Sequence, residues 1–283
     1  MNPLANLHGK IMPLEEVTIS PLDRGFLFGD AVYEVLRVYQ GKPWLEEEHF
    51  GRLARSLEEI RISGVDMERL RRRMHETIRA GGFREAVVYL QVTRGAAPRK
   101  HSFPQGVAPL ELLWVQEYLH TYDEPCRTGC RVITFPDLRW RRCDIKSTNL
   151  LGNVLANQAS SEAACSEALL YLPDGTLTEA SHSTFFAVSN DQLHTTPLQA
   201  NVLPSITRGY TLKLARQAGI EVVERNLRRT ELDEMDELFL VGTTCEILPI
   251  VTVDGRPVKD GKPGPLTRRL QEIYTQKVQA FLK

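Results

Sequence analysis

Strand-like and helix-like segments follow one another along this chain without the regular alternation of a βαβ fold. Short β-branched and aromatic segments predict a hairpin at residues 251–258 and strands at residues 35–39, 86–93, 110–116, 131–135, 167–172, 176–178, 184–189, 221–225 and 237–241. Apolar residues at helical spacing predict helices near residues 50–60, 67–78, 149–164, 206–218 and 266–281. This irregular order favours an α+β or irregular α/β architecture over a doubly wound parallel sheet.

Turn and capping residues mark the ends of some of these elements. Asp66 stands before an apolar helical stripe and is a predicted N-cap, and Gly81 and Gly82 predict the end of that helix. Asp254 and Gly255 predict a tight hairpin turn.

The length of 283 residues is sufficient for two domains. A polar segment at residues 118–129, with one proline and one glycine, predicts a linker. We therefore expect an N-terminal domain at residues 1–117 and a C-terminal domain at residues 130–283.

The composition excludes several classes of protein. The chain is 42% hydrophobic and 25% charged, and its 35 basic and 36 acidic residues leave a net charge of −1, which argues against disorder, nucleic-acid binding and attraction to an anionic membrane. No apolar run is long enough for a membrane-spanning helix, and the N-terminus lacks the pattern of a secretory signal. Five cysteines, an odd number without zinc-ligand spacing, predict reduced thiols, no metal and a cytoplasmic location.

Several polar residues lie where an ordinary core would not require them, and each has two interpretations. Lys146, between a strand and an apolar helix, is either a Schiff-base lysine or a lysine whose amine reaches solvent. Glu179, among small hydroxyl residues, is either part of a turn or a buried carboxylate. Thr207 and Thr243 fit either caps and turns or an anion site.

Taken in order, six segments resemble the fold-type IV pyridoxal-phosphate enzymes, and within them the D-amino-acid aminotransferases. The resemblance extends from about residue 9 to residue 275. It implies a homodimer with a smaller N-terminal α/β domain and a larger C-terminal pseudo-barrel domain that binds pyridoxal 5'-phosphate. The segments are DRGFLFGDAVYEV (23–35), VTRGAAPRKH (92–101), RWRRCDIKS (139–147), LTEAS (177–181), ITR (206–208) and DELFLVGTTCEILP (236–249).

The resemblance implies roles for residues around the cofactor. Lys146 would hold the cofactor aldehyde as a Schiff base and move the substrate proton. Glu179 would pair with the pyridine nitrogen, Arg52 with the phosphate, and Arg139 would lie near the phenolic oxygen. Four further residues would contact the cofactor: Ser181, Ile206, Thr207 and Thr243.

The substrate residues follow from the same resemblance. Tyr33 would face the cofactor, and Arg99 and His101 would receive the substrate α-carboxylate, with their loop reaching the active site of the partner subunit. Without the family, Arg99 and His101 would be a solvated loop. His49 is either a substrate-site residue or a surface histidine, and Thr244 and His182 complete the predicted substrate-binding set.

Two positions depart from the family pattern. His182 stands among small hydroxyl residues, where it changes the side-chain pocket or the surroundings of the cofactor ring. Gly242 stands where a serine is common, which removes one hydrogen-bond donor near the phosphate.

The implied reaction is transamination of D-amino acids, of the D-alanine or D-glutamate type, with 2-oxo acids such as 2-oxoglutarate or pyruvate, in two ping-pong half-reactions. Branched-chain L-amino-acid aminotransferase is an alternative, but the spacing of Arg99 and His101 argues against it. Aminodeoxychorismate lyase is a second alternative, and a non-catalytic protein that binds the cofactor is a third.

Overall fold

A computed structural model describes residues 2–283 and divides them into two units. The first unit contains residues 2–119 together with 145–149, and the second contains residues 120–144 and 150–281. The predicted linker includes a short helix, α4 (Asp123–Thr128), rather than extended chain alone. The segment 145–149 also differs from the sequence-based division, which placed it in the C-terminal domain.

An antiparallel sheet forms the centre of the first unit. Its strands run in the order β2-β1-β6-β5-β3-β4. Three helices belong to the same unit. The elements are β1 (Leu4–Leu7), β2 (Lys10–Pro13), α1 (Arg24–Phe28), β3 (Ala31–Tyr39), β4 (Lys42–Pro43), α2 (Glu46–Glu59), α3 (Met67–Gly81), β5 (Ala86–Thr93) and β6 (Leu110–Glu117).

The core of this unit lies between one face of the sheet and the two longer helices. Alternate residues of β3 and β5, including Leu36 and Leu90, are fully buried against Leu53 of α2 and Met74 of α3. The period of two in the strands and of 3.6 in the helices brings all these apolar side chains to one layer. Asp66 caps α3 by accepting a hydrogen bond from the backbone N–H of Arg69, which confirms the predicted N-cap.

The second unit is built on a larger mixed sheet. Its strands run in the order β12-β11-β10-β13-β14-β7-β8-β9, with β15 paired to β14. The elements that follow α4 are β7 (Cys130–Pro136), α5 (Leu151–Glu162), β8 (Glu167–Tyr171), β9 (Leu177–Ala180), β10 (Thr184–Ser189), β11 (Gln192–Thr195), α6 (Ile206–Gln217), β12 (Val222–Glu224), β13 (Glu237–Gly242), β14 (Glu246–Val253), β15 (Arg256–Pro257) and α7 (Pro265–Leu282).

The two ends of this sheet meet. The backbone N–H of Leu177, which begins β9, donates to the carbonyl of Leu227, just after β12, over 2.8 Å, and Thr176 bridges to Arg228. The sheet therefore curls into a barrel-like form around a core that includes Phe185, Leu240 and Leu248. This confirms the expected α+β class with a pseudo-barrel in the C-terminal part.

Most predicted elements are present, and the missed ones are short. The hairpin through Asp254 and Gly255 is confirmed by the pairing of β14 with β15. Sequence patterns did not predict β1, β2, α1, β4, α4 or β11, which span two to six residues each. Such segments are too short to show a periodicity. Within residues 2–283, no helix is both long and apolar enough to cross a membrane.

Candidate active site

Strand β3 and helix α2 position Lys146 within the first unit. The backbone carbonyl of Lys146 accepts a hydrogen bond from the N–H of Tyr33 at 2.9 Å, and the N–H of Thr148 donates to the carbonyl of Ala31 at 3.1 Å. The N–H of Lys146 donates to Oγ of Ser56 on α2 at 3.3 Å. These backbone bonds make the lysine segment an extension of the sheet, which explains why it belongs to this unit.

The side chains of Lys146 and Tyr33 lie together. The Lys146 Nζ atom is 4.3 Å from the centroid of the Tyr33 ring. Tyr33 in turn stacks on Tyr89, and Tyr89 stacks on Trp114 with ring centroids 4.0 Å apart. Burial, together with the neighbouring Tyr33, raises the pKa of Tyr89, so that phenol keeps its proton. The half-buried lysine amine is therefore held against an aromatic surface rather than dispersed in solvent.

Arg52 and His49 meet at a buried carboxylate that the sequence analysis missed. Glu34 on β3 accepts hydrogen bonds from Nε and Nη2 of Arg52 at 2.7 and 2.8 Å, and its Oε2 atom is 2.7 Å from Nδ1 of His49. Burial opposes ionisation, but the charges and hydrogen bonds of Arg52 and His49 lower the pKa of Glu34 to about 2. Glu34 therefore stays ionised and fixes the Arg52 guanidinium.

His49 is buried, which excludes its interpretation as a surface histidine. Its side chain is 3% exposed, and burial lowers its pKa against the opposing effect of Glu34. A glutamate within the apolar strand sequence AVYEVLRVY was the available signal for this cluster, because a charge in a buried strand needs a partner.

In the second unit, Glu179 lies on β9 and is almost fully buried, so it is not part of a turn. It pairs with Nη1 of Arg139, and the backbone N–H of Leu203 is 3.3 Å from both of its carboxylate oxygens. Burial raises the pKa of Glu179, while Arg139 and the Leu203 N–H oppose that rise. The site therefore provides a carboxylate whose charge depends on the cations that face it.

Asp137, which the sequence analysis also missed, fixes Arg139. Asp137 accepts hydrogen bonds from Nε and Nη2 of Arg139 at 2.9 and 2.7 Å, and from the hydroxyl of Thr178 at 2.7 Å. Burial disfavours a charged guanidinium, but Glu179 and Asp137 raise the pKa of Arg139 above its ordinary value. Arg139 therefore orients Glu179. Its predicted position near the phenolic oxygen of the cofactor stays a prediction.

The remaining predicted cofactor residues lie on several elements of the second unit. Ile206 and Thr207 begin α6, whose N-cap Ser205 accepts a hydrogen bond from the backbone N–H of Arg208. Thr243 and Thr244 follow β13 in a turn. Arg52, in contrast, belongs to the first unit. The structure therefore distributes the predicted phosphate residues over both units.

His182 is held by a buried carboxylate, Glu167 on β8. The backbone N–H of His182 donates to Glu167 Oε2 at 3.0 Å, and the Nε2 atom of His182 is 3.2 Å from Glu167 Oε1. The hydroxyls of Ser181 and Ser183 donate to the same carboxylate. The imidazole is nevertheless 44% exposed. A bulky residue is tolerated here because its ring lies against the hydroxyl cluster and Glu167 while part of its surface remains in solvent.

The space around Gly242 explains the second departure from the family pattern. A Cβ atom at this position would lie 3.1 Å from Sγ of Cys245 and 3.4 Å from Cβ of Ser183. The thiol of Cys245 is itself buried. A glycine therefore accommodates the Cys245 side chain, and a serine would crowd it.

Arg99 and His101 both lie on an exposed loop of the first unit. Both contact the ring of Phe28, at the end of α1.

A family model for amino-transferase class IV matches residues 31–253, more than half of the chain. The chain is a class IV aminotransferase. The matched range includes Lys146, Glu179 and both residues of the loop pair, Arg99 and His101. It ends at the last residue of β14. Enzymes of this class use pyridoxal 5'-phosphate, which confirms the expected cofactor.

This class IV aminotransferase is similar in sequence to D-alanine aminotransferases. It is 37% identical to a D-alanine aminotransferase of Bacillus licheniformis over 271 residues, 93% of each chain. It is 36% identical to the D-alanine aminotransferase of Staphylococcus haemolyticus over 276 residues, 97% of each chain.

Solved structures of branched-chain aminotransferases share its fold. A branched-chain amino acid aminotransferase of Escherichia coli aligns with a TM-score of 0.92 and 25% identity, covering 96% of this chain and 93% of that one. A branched-chain aminotransferase of the thermophilic archaeon Thermoproteus uzoniensis, solved with norvaline, aligns with a TM-score of 0.85 and 26% identity over the same shares. The expected fold is confirmed along nearly the whole chain.

Proposed function

We propose that this aminotransferase transfers amino groups between D-amino acids and 2-oxo acids with pyridoxal 5'-phosphate as cofactor. The observation that carries the proposal is the identity of 36–37% to D-alanine aminotransferases over 93–97% of the chain. The branched-chain enzymes share the fold at 25–26% identity. Because one fold supports several substrate classes, the sequence relatives weigh more for the substrate than the fold does.

The residues present fit this cofactor. The Lys146 amine is the group that an aldehyde requires, and it lies against the Tyr33 ring. Glu179 is a buried carboxylate suited to a protonated pyridine nitrogen. The N-terminus of α6 at Thr207 and the hydroxyl of Thr243 provide donors for a phosphate. Arg52 would add a guanidinium whose orientation Glu34 fixes.

The mechanism assigns separate tasks to these side chains. When bound, pyridoxal phosphate supplies an electron sink for the negative charge that develops at the substrate Cα. Lys146 would hold the cofactor and then move the proton at Cα as a general base and acid. Glu179, oriented by Arg139, would keep positive charge on the pyridine nitrogen. Arg99 and His101 would bind the α-carboxylate and so decide which face of Cα presents its hydrogen to Lys146.

We further propose that the enzyme works as a homodimer in the cytoplasm. Large apolar side chains stand exposed on the isolated chain, including Phe26 at 77%, Leu151 at 72% and Val154 at 57%. Exposed apolar residues of this size support contact with a second copy. The five free cysteines support a reducing compartment.

One assay tests the proposed reaction. Purified holoenzyme would receive D-alanine, L-leucine or aminodeoxychorismate, each with 2-oxoglutarate, and the oxo acid formed would be measured. We expect pyruvate from D-alanine with stoichiometric glutamate. Turnover of L-leucine alone would favour the branched-chain alternative, and pyruvate from aminodeoxychorismate without glutamate would favour the lyase.

A further inference from the structure

One buried arginine binds the backbone of the loop that contains Arg99 and His101. Arg24, the first residue of α1, is 3% exposed. Its Nη1 atom donates to the carbonyl of Lys100 at 2.6 Å and to that of Ser102 at 3.4 Å, and its Nη2 atom donates to the carbonyl of His101 at 3.3 Å. A single guanidinium therefore fixes three successive peptide units of the loop.

Arg24 is itself held in place by Asp30. Its Nε atom is 2.8 Å from Asp30 Oδ2, and Asp30 also accepts two hydrogen bonds from Arg94, at 2.8 and 3.0 Å. Arg94 donates in turn to the carbonyls of Ile60 and Arg61, at the end of α2. The loop is thus connected through two arginines and one carboxylate to the helix that also contains Arg52.

Phe28 contacts both side chains of the pair. Its ring centroid is 5.3 Å from the Arg99 guanidinium carbon and 5.5 Å from the His101 ring centroid. The Arg24 guanidinium carbon is 4.8 Å from the same ring. Cations prefer the face of an aromatic ring. One ring therefore restricts two exposed side chains that would otherwise sample many rotamers.

We propose that Arg24 and Phe28 are positioning residues for the site that receives the substrate α-carboxylate. Arg24 sets the backbone of residues 100–102, and Phe28 holds the Arg99 guanidinium and the His101 imidazole beside each other. The inference rests on the proposed function, in which that pair binds the carboxylate. Its physical basis is that pre-organised donors lose less conformational entropy when they bind an anion than free side chains do.

The first experiment measures substrate binding. Arg24→Lys, Arg24→Ala and Phe28→Leu would be compared with Arg72→Ala, an exposed arginine on α3. The half-reaction of each holoenzyme with D-alanine gives a half-saturating concentration and a limiting rate. We expect the half-saturating concentration to rise about tenfold or more, as for the loss of one charge-assisted hydrogen bond, with cofactor content unchanged. The Arg72→Ala variant should match the parent enzyme.

The second experiment measures the loop without any turnover. Trypsin cleaves after Arg99 and Lys100, which are exposed but lie on a fixed backbone. We expect faster cleavage at these two bonds in Arg24→Lys and Arg24→Ala, and an unchanged rate at the exposed Arg141. Should Arg24→Ala fail to fold, Arg24→Lys retains a cation for Asp30 but cannot span three carbonyls. An unchanged cleavage rate in Arg24→Lys would overturn the backbone role.

Arg99→Ala separates the two hypotheses. If Arg99→Ala leaves the half-saturating concentration of D-alanine unchanged, the proposed carboxylate site is wrong. If Arg99→Ala raises it while the Arg24 and Phe28 variants do not, the positioning role is wrong. Where both raise it, the effects of Phe28→Leu and Arg99→Ala should be less than additive in the double variant, because Phe28 acts partly through Arg99 and otherwise through His101. Additive effects on the half-saturating concentration would show that Phe28 acts independently of Arg99.

Discussion

At the scale of single residues, both units contain buried carboxylates that are paired with arginines. Glu34 holds Arg52 in the first unit, and in the second unit Asp137 holds the Arg139 that orients Glu179. Each arginine binds its carboxylate in a geometry that a lysine does not reproduce. The predicted cofactor residues are therefore fixed by partners that the motifs do not contain.

Replacing Glu179 by glutamine tests its electronic role. Glu179→Gln keeps the shape but removes the negative charge that would stabilise a protonated pyridine. We expect the limiting rate of the half-reaction with D-alanine to fall about 10²–10³-fold, as for the loss of one well-placed electrostatic contact. Stopped-flow absorbance would measure it, with the exposed Glu162→Gln as control. An unimpaired Glu179→Gln enzyme would refute this role.

Glu34 should make stability depend on acid pH. Its pKa falls from 4.5 to about 2 in the folded protein, so ionised Glu34 stabilises the fold fully above pH 4.5, and this contribution disappears as pH falls toward 2. The pKa shift corresponds to a contribution of about 3 kcal/mol to the free energy of unfolding at pH 7. About 2 kcal/mol of this contribution should be lost between pH 7 and pH 3. The difference in unfolding free energy between the parent enzyme and Glu34→Gln should shrink accordingly.

Urea unfolding at pH 7, 5, 4 and 3 would measure this difference. The exposed Glu58→Gln on α2, the helix that contains Arg52, provides the matched control, and its difference from the parent should stay nearly constant with pH. If the difference in unfolding free energy between the parent enzyme and Glu34→Gln does not change with pH, Glu34 is not the titrating partner of Arg52.

At the scale of elements, the longest helix starts with a cap supplied from a distant strand. The N-cap residue of α7 is Gly264, which has no side chain to cap it. Glu237 on β13 instead accepts hydrogen bonds from the backbone N–H groups of Leu266 and Thr267 at 2.8 and 2.7 Å, and from the Thr267 hydroxyl at 2.6 Å. A buried carboxylate thus replaces a local cap.

Removing this cap should destabilise the second unit. We expect Glu237→Ala to lower the free energy of unfolding by about 2–3 kcal/mol, because one partly buried N–H group, one buried N–H group and one buried hydroxyl lose a charged acceptor. Glu272→Gln, an exposed position on α7, should change it by less than about 0.5 kcal/mol. Thermal unfolding followed by circular dichroism compares the two, and equal effects would show that the cap contributes nothing specific.

At the scale of the whole molecule, the residues assigned to the proposed reaction are distributed over the two units. Lys146, Tyr33, Arg99 and His101 belong to the first unit, and Glu179 belongs to the second. The family resemblance adds that the loop serves the partner subunit. Subunit assembly would then be a condition for activity and not only for stability.

A mixed dimer tests this arrangement. Arg99→Ala and inactive Lys146→Ala would be mixed under conditions that exchange subunits, at a D-alanine concentration too low for Arg99→Ala to turn over measurably. If the loop acts in trans, a mixed dimer contains one site with both residues intact, and we expect up to half of the activity per dimer of that species to return. Mixed dimers confirmed by mass spectrometry but still inactive would place the loop at its own subunit's site.

The sequence by itself determined the long elements, the family and the position of the lysine. Helix α3 and its Asp66 cap follow from local signals, since apolar spacing and a capping hydroxyl or carboxylate act within a few residues. The segments around Lys146 and Glu179 indicated the family because their order along the chain is far more specific than any one motif.

Only the tertiary structure decided which partners these residues have. Residues 145–149 join the first unit because their backbone pairs with β3, more than a hundred positions earlier in the chain. Glu34 is bonded to Arg52, Glu237 to α7, and Arg24 to the loop after β5. Hydrogen bonds and ion pairs of this kind depend on distance in space, and periodicity along the chain reports only on neighbours a few residues apart.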